Sequence, residues 1–114
     1  MKQPEKLTIG ADGEENVRLV LASGMLGMLD LIEKGKISGT DAAMAFFLPM
    51  MLRTKENTLI HQICSMAEEL DTYPPTRRAG EIDKIRTLCY EMMADYSRTG
   101  QAISFEFQYG DEDL

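Results

Sequence analysis

Apolar residues in the first third of the chain recur at steps of three and four. Val17, Val20, Leu21, Gly24, Met25, Met28, Leu31 and Ile32 fall on one face of a helical repeat. The pattern predicts a helix that starts at Asp12-Gly13-Glu14-Glu15. Asp12 is positioned to cap free N–H groups, Glu15 to reach back, and the acidic turn suits the helix dipole. The helix is expected to run to about Lys34, with Gly35 as the left-handed residue that ends it. Gly24 and Gly27 lie inside it, at a cost of about 1 kcal/mol each relative to alanine. Close packing by a neighbouring element is the expected offset, so the Gly24/Gly27 face is predicted to be a helix-crossing site.

A second start signal, Ser38-Gly39-Thr40-Asp41, has capping-box spacing, with Ile37 placed to staple onto Ala42. The helix it opens is predicted from Gly39 to about Leu48, rich in small residues and interrupted by Pro49. Met50, Met51 and Leu52 continue as a turn or short helix. Leu59, Ile60, Ile63, Met66, Ala67 and Leu70 mark a third amphipathic helix over roughly Lys55 to Leu70. Tyr73-Pro74-Pro75 is a rigid connection. Ile82, Ile85, Leu88, Cys89, Met92 and Tyr96 define a fourth helix, about Thr76 to Arg98, closed by Gly100.

The tail changes period. Ile103, Phe105, Phe107 and Tyr109 alternate with Ser104, Glu106 and Gln108, the clearest strand signal in the chain, and a solvated acidic end follows. Leu7 and Ile9 give a weaker strand signal over residues 5 to 10, ended by Gly10. A lone strand leaves its backbone groups unpaired, so the tail is expected to pair either with that segment or with the tail of a second copy in a homodimer. The chain is thus predicted to be one mainly α domain, residues 1–114. Its architecture is a four-helix bundle, five with a short helix after Pro49. A short terminal β element draws on the N-terminal segment 1–11 and the tail 101–114.

Charge narrows the partners. With 19 acidic and 12 basic residues the net charge is −7, which disfavours nucleic acid and anionic membranes and favours a basic protein partner. Nine methionines and no tryptophan imply a core of flexible, gap-filling side chains. Cys64 and Cys89 occupy apolar helix positions and are expected to be buried and reduced. The N-terminus shows no signal-peptide pattern, and the Val17–Ile32 run is too short for a membrane span and carries Arg18 and Asp30. A cytoplasmic protein is the expectation.

Candidate chemistry is sparse. His61 and Cys64 lie three apart, with Cys89 on another helix, but zinc sites favour tight ligand pairs in loops, so no metal is expected. Gly24-Met25-Leu26-Gly27 lacks the strand and helix start of a phosphate loop. Arg77-Arg78, near the start of the fourth helix, is weak as an anion site. No nucleophile has a local signature, and a single histidine leaves little scope for a relay. No catalytic residue and no cofactor are therefore expected. Glu68, Glu69 and Asp71 gather at a helix end beside Tyr73, and this group is either a docking site for a basic partner or a solvated rim.

Three pieces of the stretch from Leu26 to about Met93 carry a resemblance. They are Leu29-Asp30-Leu31-Ile32-Glu33-Lys34-Gly35-Lys36-Ile37-Ser38, Phe47-Leu48-Pro49 and Ala67-Glu68-Glu69-Leu70-Asp71. The stretch resembles a family of short bacterial helical proteins of unassigned function. The resemblance implies a small helical bacterial protein and lends no catalytic residues; it does not account for the strand-like tail. The function expected is a non-catalytic protein-binding module, of the kind of an immunity protein, an antitoxin or a regulatory adaptor. The alternative is a small-molecule-binding regulator with a Met- and Phe-lined pocket beside the Gly24/Gly27 face.

Overall fold

A computed structural model describes residues 4–54, 58–97 and 102–110. The expected start of the third helix at Lys55, the end of the fourth at Arg98 and Gly100, and the acidic end from Asp111 lie outside those residues. The described chain is mainly α with a small two-stranded antiparallel sheet. In order it forms β1 (Pro4–Ala11), α1 (Glu14–Glu33), α2 (Gly39–Ala42), a π-helical stretch (Ala43–Phe47), α3 (Leu48–Arg53), α4 (Thr58–Glu68), a 3-10 turn (Leu70–Thr72), α5 (Pro75–Glu91) and β2 (Ile103–Tyr109). No helix among the described residues is long and apolar enough to cross a membrane.

The start of α1 differs from the expectation. Gly13 occupies the cap position with φ 87°, a conformation open to glycine, and no side chain caps the helix. Asp12 instead offers its carbonyl, which accepts from Asn16 Nδ2 at 3.0 Å. Glu15 does not reach back; its carboxylate pairs with Arg18 and accepts the Ser97 N–H at 3.1 Å. The far end follows the expectation. Gly35 has φ 70°, its N–H reaches the Ile32 carbonyl at 3.0 Å, and Lys36 N–H reaches that of Leu31 at 2.9 Å, the paired bonds of a Schellman ending.

Ser38 caps α2 as its spacing predicts, its Oγ accepting from Asp41 N–H at 3.0 Å. Pro49, expected to interrupt this helix, does not. The chain stays helical from Gly39 to Arg53 by widening through the π stretch at Ala43–Phe47. The widened turn re-registers the backbone, so Pro49 falls in the first turn of α3, where a missing N–H is tolerated. The fourth helix is shorter than its apolar period suggests. Beyond Glu91 the bonds tighten to three-residue steps, Met93 to Tyr90, Ala94 to Glu91 and Tyr96 to Met93. Arg18, reaching across from α1, donates to the Met92 carbonyl at 3.2 Å and occupies an acceptor at this end.

The core joins α1, the α2–α3 unit, α4 and α5 through Met25, Leu29, Phe47, Ile63, Leu70 and Ile85, all fully buried. Across its edge, Arg86 of α5 holds Glu33 of α1 bidentately at 3.0 and 2.9 Å and also binds Asp83 at 2.9 Å. That hydrogen bond keeps the Glu33 carboxyl below its usual range; backbone N–H donors do the same for Asp71, and Lys84 for Glu81. A carboxylate depressed in the fold stabilises it above the ordinary carboxylate range and loses that contribution as pH falls through the folded value. Melting temperature is therefore expected to fall as pH is lowered through and below that range, and Asp71→Asn to flatten the fall. A melting temperature independent of pH in this window would contradict the assignment.

The tail pairs within its own chain. Ala11 faces Ile103, Ile9 faces Phe105, Leu7 faces Phe107 and Pro4 faces Tyr109, with an irregularity between Pro4 and Lys6. Pro4–Ala11 and Ile103–Tyr109 thus form one ribbon, half-buried at Gly10, Ala11 and Ile103 and exposed over Glu5–Ile9 and Ser104–Tyr109. Overall extents are 50 × 35 × 22 Å. The radius of gyration, 15.9 Å, exceeds the roughly 13 Å of a compact chain of this length, in keeping with a ribbon standing off the helices.

Candidate functional site

Directly paired residues of an antiparallel ribbon share a face, and side chains alternate between faces. The register therefore collects Leu7, Ile9, Phe105, Phe107 and Tyr109 on one side, with Lys6, Thr8, Ser104, Glu106 and Gln108 on the other. The apolar side does not fold back onto the helices. Its five large residues are between 43% and 61% exposed. Phe107 and Tyr109 stack tilted at 6.4 Å, lending the outer end some order of its own. A two-stranded ribbon is marginal in water, and a contiguous aromatic face left in solvent marks an interaction surface.

The apolar face continues into a groove of about 600 Å³. It is lined by Ile9 of β1, by Val17 and Leu21 of α1, and by Phe46, Pro49 and Met50 of the π stretch and α3. Gly24 makes this geometry available. A Cβ there would lie 3.1 and 3.2 Å from the Phe46 ring edges and closer still to Cζ. Glycine lets the Phe46 ring lie down on α1, edge-on to Phe47 at 5.8 Å and 90°. Gly27 does not share this role: nothing lies within 4 Å of the Cβ position, and the residue is exposed. The predicted crossing site is thus a single position, filled by a ring and not by a backbone. Arg53 is the one charged residue lining the groove, and it makes no ion pair among the described residues.

The acidic group near the end of α4 is occupied differently. Both Asp71 carboxylate oxygens accept backbone N–H groups from the start of α2, Gly39 at 3.0 Å and Thr40 at 2.7 Å. Asp71 is thus a cap for another helix, tying two segments more than 30 residues apart. Tyr73 donates to Glu69 at 3.2 Å, and its ring lies 4.5 Å below the Arg77 guanidinium. Arg78 donates to the carbonyls of Leu70 and Tyr73 at 3.2 and 3.1 Å. Arg77 also donates from Nε to Glu81 at 3.4 Å. Glu68 is exposed.

Cys64 and Cys89 are free and buried, between α4 and α5. Burial pushes both thiols up to about 11, with the Glu68 carboxylate adding to the shift at Cys64 and the Cys64 thiol to that at Cys89. Native protein at neutral pH is expected to label with a thiol reagent no faster than it opens, and denatured protein at once; rapid labelling of the native chain would refute this. His61 Nε2 is buried without a hydrogen-bond partner among the described residues. No group of three His, Cys, Asp or Glu side chains among the described residues could hold a metal ion.

The ribbon strands were legible in the sequence. Of the groove, a Met- and Phe-lined pocket beside the Gly24/Gly27 face was expected, and Phe46 and Met50 line it; Ala45, Pro49, Arg53 and Thr54 carry no motif that would have placed them there. No protein-family model matches the chain, and neither a curated protein nor a solved structure matches it. The reading of the site therefore rests on its own geometry.

Proposed function

We propose that this protein is a non-catalytic interaction module. A helical scaffold, arranged as a four-helix bundle, presents the apolar ribbon face and its adjoining groove to another protein. The observation that carries the reading is the row Leu7, Ile9, Phe105, Phe107 and Tyr109, aligned by strand register and left in solvent. A protein surface supplies the area that would cover such a row, and the open strand edges offer backbone pairing to it. An acidic chain suits a basic partner, with exposed Glu68 one candidate for the charged part of such a contact. This is the profile of an immunity-like, antitoxin-like or adaptor protein.

The groove favours a second reading, a regulator that binds a small apolar molecule. Its volume lies within the roughly 300–1,000 Å³ typical of small-molecule sites, and Phe46 and Met50 line it. The two readings separate on Phe107→Asp, with Tyr90→Asp on α5 as a control at another exposed aromatic. Cross-linking of the tagged full chain in cell extract is expected to give a stoichiometric protein adduct. Phe107→Asp should reduce it at least tenfold, and Tyr90→Asp should leave it intact. An adduct indifferent to Phe107, or an apolar small molecule retained in native mass spectra with no protein adduct, would overturn the proposal.

A further inference from the structure

The ribbon face and the groove together also offer a surface that a second copy of the chain could cover. The inference deepens the proposed function and rests on it. An isologous interface needs one surface that complements itself, holding both a protrusion and a recess. Here the ribbon is the protrusion, the groove is the recess, and Ile9 belongs to both. We propose that two copies associate about a two-fold axis, each laying the apolar side of its ribbon into the groove of the other.

Area and charge support a second copy. Five side chains about half exposed, on a scale of about 150–250 Å² per aromatic, leave on the order of 500 Å² of apolar ribbon surface. The groove walls, among them Val17, bring each copy near the roughly 800 Å² per partner of a standard interface. A net charge of −7 opposes most ways of bringing two copies together. This face escapes that opposition, because none of the residues on the ribbon's apolar side or lining the groove is acidic. Arg53 is its one charge, and the end of the ribbon far from the helices carries Glu5. Glu5 on one ribbon and Arg53 in the groove of the other are opposite in charge.

Light scattering of the full chain over a dilution series is the first measurement. The expected result is twice the 12.8 kDa chain mass at tens of micromolar. Phe107→Asp and Arg53→Glu should each weaken the dimer at least tenfold while the helical circular dichroism stays unchanged. A second measurement does not depend on those variants folding. Val17→Cys chains are mixed with Phe107→Cys chains under mild oxidation, the buried Cys64 and Cys89 remaining silent. The mixture should form a disulfide-linked pair at dimer mass more readily than either variant alone. A monomer at every concentration overturns the second copy as partner. If Phe107 then still governs capture of a different protein, the interaction module stands without self-association; if it governs nothing, both readings fall. A dimer that survives both substitutions and forms no mixed cross-link also overturns the arrangement.

Discussion

Phe47→Ala is expected to destabilise the chain by about 3–5 kcal/mol, a large part of the roughly 5–15 kcal/mol that holds a domain folded. Phe47 is completely buried and closes the π stretch, where its ring meets Phe46 edge-on at 5.8 Å. Truncation removes the transfer energy of the ring and leaves a void among core side chains that touch α1, α4 and the α2–α3 unit. The site cannot readily collapse, because the π turn that carries Phe47 also sets the register for Pro49. Urea denaturation gives the answer directly. A loss below about 1 kcal/mol would mean that the core repacks freely and that the π stretch has no structural weight.

Gly24 and Gly27 are expected to part company. Gly24→Leu drives a side chain into the Phe46 ring, and overpacking of that kind costs about 1–3 kcal/mol beyond the gain from better helix propensity. Phe46 would have to leave α1, and the groove would lose a wall. Gly27→Ala, by contrast, meets open space and should stabilise by about 0.5–1 kcal/mol through propensity alone. Thermal melts of the two variants decide it. Equal effects of the same sign would show that Phe46 yields, and that Gly24 is not what positions it.

How much of this was readable in advance follows from which forces are local. The helix periods, the Ser38 cap and the Gly35 ending depend on near neighbours, and the chain states them openly. The alternation at Ile103–Tyr109 likewise announced a strand, but its partner stayed open between the Leu7–Ile9 segment and the tail of a second copy until the register paired it within the chain. Three features needed long-range information. Asp71 looks like one of a group of helix-end carboxylates until α2 comes to lie over it. Pro49 looks like a stop until the preceding turn widens. The α5 helix keeps an apolar period to Tyr96, yet it tightens after Glu91, where Arg18 takes the Met92 carbonyl. Of the two glycines, only Gly24 falls on the apolar stripe of α1, but the helix pattern does not show that its neighbour is the Phe46 ring.

The same division applies to the candidate site. Strand register turned a row of alternating residues into a single apolar face, and that much was foreseeable from period two. That the face would stay uncovered by its own helices was not, since the aromatics alone argued for burial. Only the three-dimensional course of the ribbon shows that Phe105, Phe107 and Tyr109 remain in solvent and that Ile9 leads from them into the groove.

Hydroxyl-radical footprinting of the intact protein at working concentration in cell extract tests the docking face most directly, because it reads side-chain exposure residue by residue. Tyr90, 64% exposed on α5, serves as the reference for an uncovered aromatic. If the ribbon face is a docking surface, Phe105, Phe107 and Tyr109 will be oxidised several-fold more slowly than their exposure in the isolated chain implies, while Tyr90 reacts fully. If all four react at rates set by their exposure in the single chain, nothing covers the ribbon, and the account is contradicted.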